Sequence, residues 1–115
     1  MLPKKNRISK DRDFAVVFKK SRPVFTKDLA FRVVFKNTTE TRVAFIVSNK
    51  VDKRATVRNT LKRRLRAMST ELISRMKKGY DVVVTVKPSG GALLEYPEIK
   101  DQFNEGIVRT GLITQ

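Results

Sequence analysis

The sequence predicts a small α/β domain of the α+β, two-layer kind, with its elements in the order α-β-β-α-β-α. Three observations carry that expectation. Strand-like apolar segments occur at Leu29 to Lys36, Arg42 to Ser48 and Tyr80 to Lys87. Stretches of helical periodicity precede, separate and follow them. A chain of 115 residues suits one domain, 1–115, around a single core.

Taken in order, Ser9 is the expected cap of a helix from about Lys10 to Lys19, in which Phe14, Val17 and Phe18 share one side through i+3 and i+4 spacing. That helix must stop before Pro23, since the residue before a proline is pushed out of the helical region. Leu29, Phe31, Val33 and Phe35 then alternate with Ala30, Arg32, Val34 and Lys36, as in a half-covered strand. The polar run Asn37-Thr38-Thr39-Glu40-Thr41 reads as a hairpin connection, and the apolar run Val43 to Val47 of the next strand predicts a central place in the sheet. Helical periodicity returns from about Val57 to Met76. The β-branched segment Tyr80 to Lys87 makes the third strand, ended by Pro88-Ser89-Gly90-Gly91. A last helix begins near Pro97 and buries Ile99, Phe103 and Ile107 before Gly111, with Gly106 predicting a short or bent element.

Charge narrows the function more than the fold does. Lys and Arg number 26 against 11 Asp and Glu, a formal net charge of +15. Such a field attracts polyanions and opposes collapse of the free chain, so anions or RNA are expected to increase its order. The basic residues are clustered: eight lie from Lys4 to Arg22 and eight from Lys50 to Arg66, while Pro88 to Gln115 holds two basic and four acidic residues. No segment has the apolar length of a membrane span or the run of a secretory signal, which predicts a cytoplasmic protein with no membrane partner. Cysteine and histidine are absent, removing disulfides, thiolate nucleophiles and the commonest near-neutral acid–base group. The acids form no tight pair for a metal clamp, because Asp11 and Asp13 diverge by about 200° on a helix. No catalytic side chain and no protein metal site are therefore predicted.

The most informative stretch runs from Lys50 to Arg66. On a helical wheel Val57, Leu61, Leu65, Met68 and Leu72 form one stripe, while Arg58, Asn59, Lys62, Arg63 and Arg66 spread over the opposite side. One side is fitted to a sheet and the other to phosphates. Like charges at i, i+4 and i+8 oppose an isolated helix, and a polyanion relieves that repulsion. A solvated helix face and a membrane-surface helix are the bland alternatives; the latter lacks bulky aromatic anchors. Sequence-specific DNA binding also uses Arg- and Asn-bearing helices, but β elements separate the helices that a helix-turn-helix would join by a short turn.

Ala44-Phe45-Ile46-Val47-Ser48-Asn49-Lys50-Val51, followed by Arg58-Asn59-Thr60-Leu61-Lys62-Arg63-Arg64-Leu65-Arg66, resembles the signature region of bacterial ribonuclease P protein components. Arg7-Ile8, Asp13-Phe14 and Val17-Phe18-Lys19 resemble that family's first-helix pattern, and Tyr80-Asp81-Val82-Val83-Val84 falls where its later strand lies. The resemblance implies a fold similar to the second domain of ribosomal protein S5, with a left-handed βαβ crossover that the general rule of handedness would not predict. It implies a protein subunit of an endoribonuclease whose partner, a catalytic RNA, removes the 5′ leader from precursor transfer RNA with magnesium ions (Mg2+) held mainly by RNA. It also implies roles for residues. Arg54, Arg58, Asn59, Lys62, Arg63 and Arg66 would contact the RNA subunit, and Phe14, Phe18 and Lys50 would receive the single-stranded leader. Thr60 departs from the family's usual Arg-Asn-Arg, so a basic contact is missing there. A ribosomal or RNA-chaperone protein using the same surface without cleavage is the rival reading.

Overall fold

The structure is a computed structural model that describes residues 2–88 and 96–113. After a short 3-10 turn at Lys4–Asn6 come α1 (Asp11–Lys20), β1 (Val24–Phe25), β2 (Leu29–Phe35) and β3 (Arg42–Ile46). α2 (Ala55–Leu72), a 3-10 turn at Ile73–Arg75, β4 (Tyr80–Val86) and α3 (Tyr96–Arg109) follow. The predicted α+β order therefore holds, with a two-residue strand added ahead of the first predicted one. The expected stop at Ser89-Gly90-Gly91 lies outside the described residues.

The four strands lie in the order β1-β2-β4-β3. β2 runs antiparallel to β4 through pairs from Leu29↔Val86 to Phe35↔Tyr80, and β3 runs parallel to β4 from Arg42↔Asp81 to Ile46↔Thr85. Two expectations fail here. Asn37 to Thr41 is not a hairpin, because β4 lies between the strands it connects, and β3 is at the edge rather than the centre. β4 takes the centre because Val82, Val83 and Val84 are buried on both faces. The connection is fastened across the end of β4 instead: Thr41 Oγ1 donates to Lys77 O at 2.6 Å, and Lys36 N donates to Gly79 O at 2.7 Å. Gly79 has φ +91°, a conformation that favours glycine.

The main core fills one face of the sheet. Leu29 and Phe31 of β2, Val82, Val84 and Val86 of β4, and Val43 of β3 meet Leu61, Leu65 and Met68 of α2 and Ile99, Phe103 and Ile107 of α3. Burying each large side chain contributes roughly 1.5–3 kcal/mol. α3 continues through Gly106 to Arg109 instead of ending short, and glycine stands there because a Cβ would run into the Phe31 ring. A buried polar node ties α3 to the β1–β2 turn: Gln102 Oε1 accepts from Asp28 N at 2.8 Å and Thr26 Oγ1 at 3.0 Å, while its Nε2 donates to Asp28 Oδ2 at 2.7 Å.

α1 lies on the other face, where Ile8 of the N-terminal segment, Val17, Ala44 and Val83 form a smaller cluster flanked by Phe14, Val34 and Ile46. Its N-cap is Lys10, in extended conformation and without a side-chain cap bond, rather than Ser9. Asp11 and Asp13 occupy the first turn, where negative charge offsets the helix dipole.

Candidate nucleic-acid interface

α2 divides as the wheel predicts: Leu61, Leu65 and Met68 are buried, Val57 and Leu72 are half-buried, and Asn59, Arg63 and Arg66 are exposed. The row from Arg58 to Arg66 spans about 12 Å at 1.5 Å per residue. Its members are not equivalent. Arg58 Nη1 donates to Asp52 O at 2.9 Å and Lys53 O at 2.8 Å, closing the loop that precedes the helix. Arg54 forms a two-point pair with Asp52, Nε to Oδ1 at 3.1 Å and Nη2 to Oδ2 at 2.9 Å, and its backbone N also donates to Oδ1. These hydrogen bonds lower the Asp52 pKa to about 2.

Lys62, Arg63 and Arg66 make no side-chain hydrogen bond or ion pair among the described residues. They are the part of the row available to an external anion. Thr60 Oγ1 donates back to Thr56 O at 2.9 Å, so the residue that departs from the basic pattern satisfies its hydroxyl on its own helix. Arg64 is half-buried.

On the opposite face, strand pairing builds three rows across β3, β4 and β2: Arg42–Asp81–Val34, Ala44–Val83–Arg32 and Ile46–Thr85–Ala30. α1 is fixed to the first two. Arg42 holds the fully buried Asp81 through Nε to Oδ1 at 2.8 Å and Nη2 to Oδ2 at 2.6 Å, and its Nη1 reaches Asp13 Oδ2 of α1 at 3.4 Å. The Asp81 carboxylate pushes the Arg42 pKa up. At the other end of α1, Arg32 Nη1 donates to Ser21 O at 3.0 Å and Phe18 O at 3.4 Å, and its guanidinium lies 5.1 Å from the Phe18 ring centre.

The row Ile46–Thr85–Ala30 remains half-exposed. Phe14 is half-buried in the α1 cluster, whereas Phe18 is 42% exposed. Lys50 is exposed four residues past the end of β3, the end at which this open row lies. The structure thus separates the sequence-predicted residues into two groups, one on α2 and one on the α1 face, with β3 between them. Sequence reasoning missed Arg32. Its signal was an arginine in the middle of the less apolar side of an alternating strand, beside a helix whose C-terminal carbonyls needed a donor.

Among the described residues no group of three or more acidic or other metal-ligating side chains comes together. No helix there is long and apolar enough to cross a membrane. A mixed sheet, a net charge of +15 and a helix row of unpaired cations define a nucleic-acid-binding protein of the small α+β class.

Comparison with known proteins narrows that class. The family model for ribonuclease P matches residues 2–111, and the chain belongs to the ribonuclease P protein family. The ribonuclease P protein component of Pseudanabaena sp. is 44% identical over 87 residues, covering 75% of each chain. That of Synechocystis sp. is 38% identical over 90 residues, covering 77% of this chain and 73% of the relative. The fold resembles a Staphylococcus aureus RNase P protein mutant with defective mRNA degradation activity, at TM-score 0.87 and 22% identity over 96% of this chain and 92% of that one. It also resembles the Thermotoga maritima RNase P protein, at TM-score 0.78 and 22% identity over 90% and 96% of the two chains. Members of this family are the protein subunits of the ribonuclease P holoenzyme, a ribonucleoprotein endoribonuclease that processes precursor transfer RNA with its RNA subunit.

Proposed function

We propose that the two surfaces divide the work of the holoenzyme between its two RNAs. The exposed side of α2, with Asn59, Lys62, Arg63 and Arg66, binds the catalytic RNA, while Arg54 and Arg58 hold the preceding loop in place and add charge to it. The observation that carries this reading is the set of three α2 cations, Lys62, Arg63 and Arg66, left without side-chain partners among the described residues on a helix whose other side is buried. Guanidinium groups suit phosphate because their planar donors engage two oxygens together, and Asn59 can accept from a 2′-hydroxyl.

The half-exposed row Ile46–Thr85–Ala30 receives the single-stranded 5′ leader in this reading. Phe18 offers an exposed ring for base stacking, Phe14 supports the α1 wall, and Lys50 meets phosphate at the end of the strip. Stacking tolerates any base, as a leader of variable sequence requires. The reaction is hydrolysis of a phosphodiester bond, leaving a 5′-phosphate on the mature transfer RNA and a 3′-hydroxyl on the leader. The residues described do not fit a metal clamp, and in this reading RNA oxygens hold the magnesium. The protein contributes position and charge neutralisation in the cytoplasm, where the precursors are made.

Cleavage of a 5′-labelled precursor transfer RNA by the cognate catalytic RNA at low magnesium, with and without the protein, tests the reading. Accurate protein-dependent cleavage is expected. If a folded protein fails to stimulate a competent RNA while annealing unrelated RNAs, the surface belongs to a chaperone instead.

A further inference from the structure

The cations of α2 and the strip beside α1 lie on opposite faces of the sheet, and the N-terminal segment connects them around the β3 edge. This segment is built into the fold. Leu2 and Ile8 are buried, Asn6 is buried with Nδ2 donating to Thr41 O at 2.8 Å, and Arg7 forms a parallel bridge with Val43. Fastening these positions leaves Lys4, Arg7 and Ser9 exposed.

Those three residues, with Ile8 and Arg66 of α2, line a hollow of about 320 Å³. Arg7, Ile8 and Arg66 also border an adjoining hollow of about 100 Å³, walled by β3. A single water needs only roughly 10–15 Å³, so the larger hollow has space for a hydrated oxyanion. Among the described residues no carboxylate lines either one. Nearby cations are neutralised within the chain, Lys5 by Glu40 at 3.4 Å and Arg42 by Asp81 and Asp13. Lys4, Arg7 and Arg66 have no such side-chain partner among the described residues. Three like charges around one concavity repel each other, and an anion with several acceptor oxygens converts that repulsion into attraction. Two arginines supply planar pairs of donors, and the Ser9 hydroxyl adds a neutral one.

We infer that the hollow between Lys4, Arg7, Ser9 and Arg66 is a phosphate-binding site, and that a backbone phosphate of the RNA subunit occupies it in the holoenzyme. The interface would then run from α2 around the β3 edge toward α1. The second half of the inference rests on the subunit reading given above; the phosphate site stands on its own geometry.

The test titrates the full chain with inorganic phosphate by amide NMR and, in parallel, measures the salt dependence of its binding to a cyanobacterial ribonuclease P RNA. Wild type is compared with Lys4→Ala/Arg7→Ala and with Arg7→Lys, whose altered side chains are exposed. Unchanged amide positions in β2 and β4 establish that each variant is folded. Saturable shifts at Ile8, Ser9 and Arg66 are expected in wild type, weakened by Arg7→Lys and absent in the double variant. The salt slope should fall by roughly 0.7 to 0.9 in the double variant, the amount expected for one lost phosphate contact. Wild-type shifts that are absent, or that persist unchanged in the double variant, overturn the site. Normal loss of the shifts with an unchanged RNA slope keeps the phosphate site and overturns its use by the RNA subunit. A wild-type chain that does not bind the RNA at all overturns the subunit reading, and the phosphate titration still decides the hollow.

Discussion

Replacing Arg42 with Met should destabilise the domain by about 3 kcal/mol. The Asp81 carboxylate is fully buried, and both its oxygens accept from Arg42, at 2.8 and 2.6 Å. Met has similar bulk but cannot donate, so the variant leaves a buried charge without its cation. Breaking a buried ion pair from one side costs about 3–5 kcal/mol, and the lower end applies because the Arg42 side chain is itself 26% exposed and water can reach the gap. The 3.4 Å contact to Asp13 adds little, being longer and better hydrated. Against a total stability of about 5–15 kcal/mol, this is a large fraction. Urea unfolding followed by helix ellipticity reads it directly: with a slope of about 1.5 kcal/mol per molar, the midpoint should fall by about 2 M. Adding Asp81→Asn should restore much of the loss, since the charge left unpaired is then gone. A single-variant shift below about 0.5 M, or a double variant no more stable than the single, would refute the reasoning that the buried carboxylate is the source.

Gly106→Ala gains helix propensity but drives a methyl into the Phe31 ring, so a net loss of about 1–3 kcal/mol is expected by thermal unfolding; neutrality would mean that α3 can slide away from β2. Asp52, with its pKa lowered to about 2 by Arg54, contributes stability to the loop that is complete above its ordinary value of 3.8 and is lost as pH falls through about 2. Carboxyl carbon shifts of Asp52 should accordingly titrate near 2, returning toward 3.8 in Arg54→Ala. Phe18→Ala should weaken binding of a precursor with a single-stranded leader by about 1–3 kcal/mol, the worth of one stacked base, and leave leaderless transfer RNA unaffected; equal losses on both would remove Phe18 from the leader.

Much of the fold was legible because burial imposes periodicity on sequence. The stripe of Leu61, Leu65 and Met68 announces which side of α2 meets the sheet, and Val17 does the same for α1. Lateral order was not legible. An apolar strand reports that its faces are covered, whereas its neighbours along the hydrogen-bonding direction leave no mark in the side-chain pattern. Val43 to Val47 is apolar because α2 covers one face and Ile8 with the α1 cluster packs by Ala44 on the other, yet β3 is an edge strand whose outer side carries a bridge from the N-terminal segment at Arg7. β1 escaped because two residues display no period. Within the candidate site, the wheel gave direction without partners: it placed Arg58 on the basic row but could not show that its guanidinium closes on Asp52 and Lys53. The cluster of Asp13, Arg42 and Asp81 joins three elements far apart in the chain, and no local spacing encodes it.

The central strand of this sheet is also the last strand to be synthesised. β2 and β3 both take β4 as their neighbour, so neither can complete its ladder until residues 80–86 exist. Helix formation is local and quick, but the ladders join early chain to late chain, and contacts of that kind slow folding. By residue 79 the emerging chain already carries 23 of its 26 cations, without the strand that would organise them. The growing chain thus has most of its charge in place before either ladder can close, and residues 80–86 complete both neighbours at once.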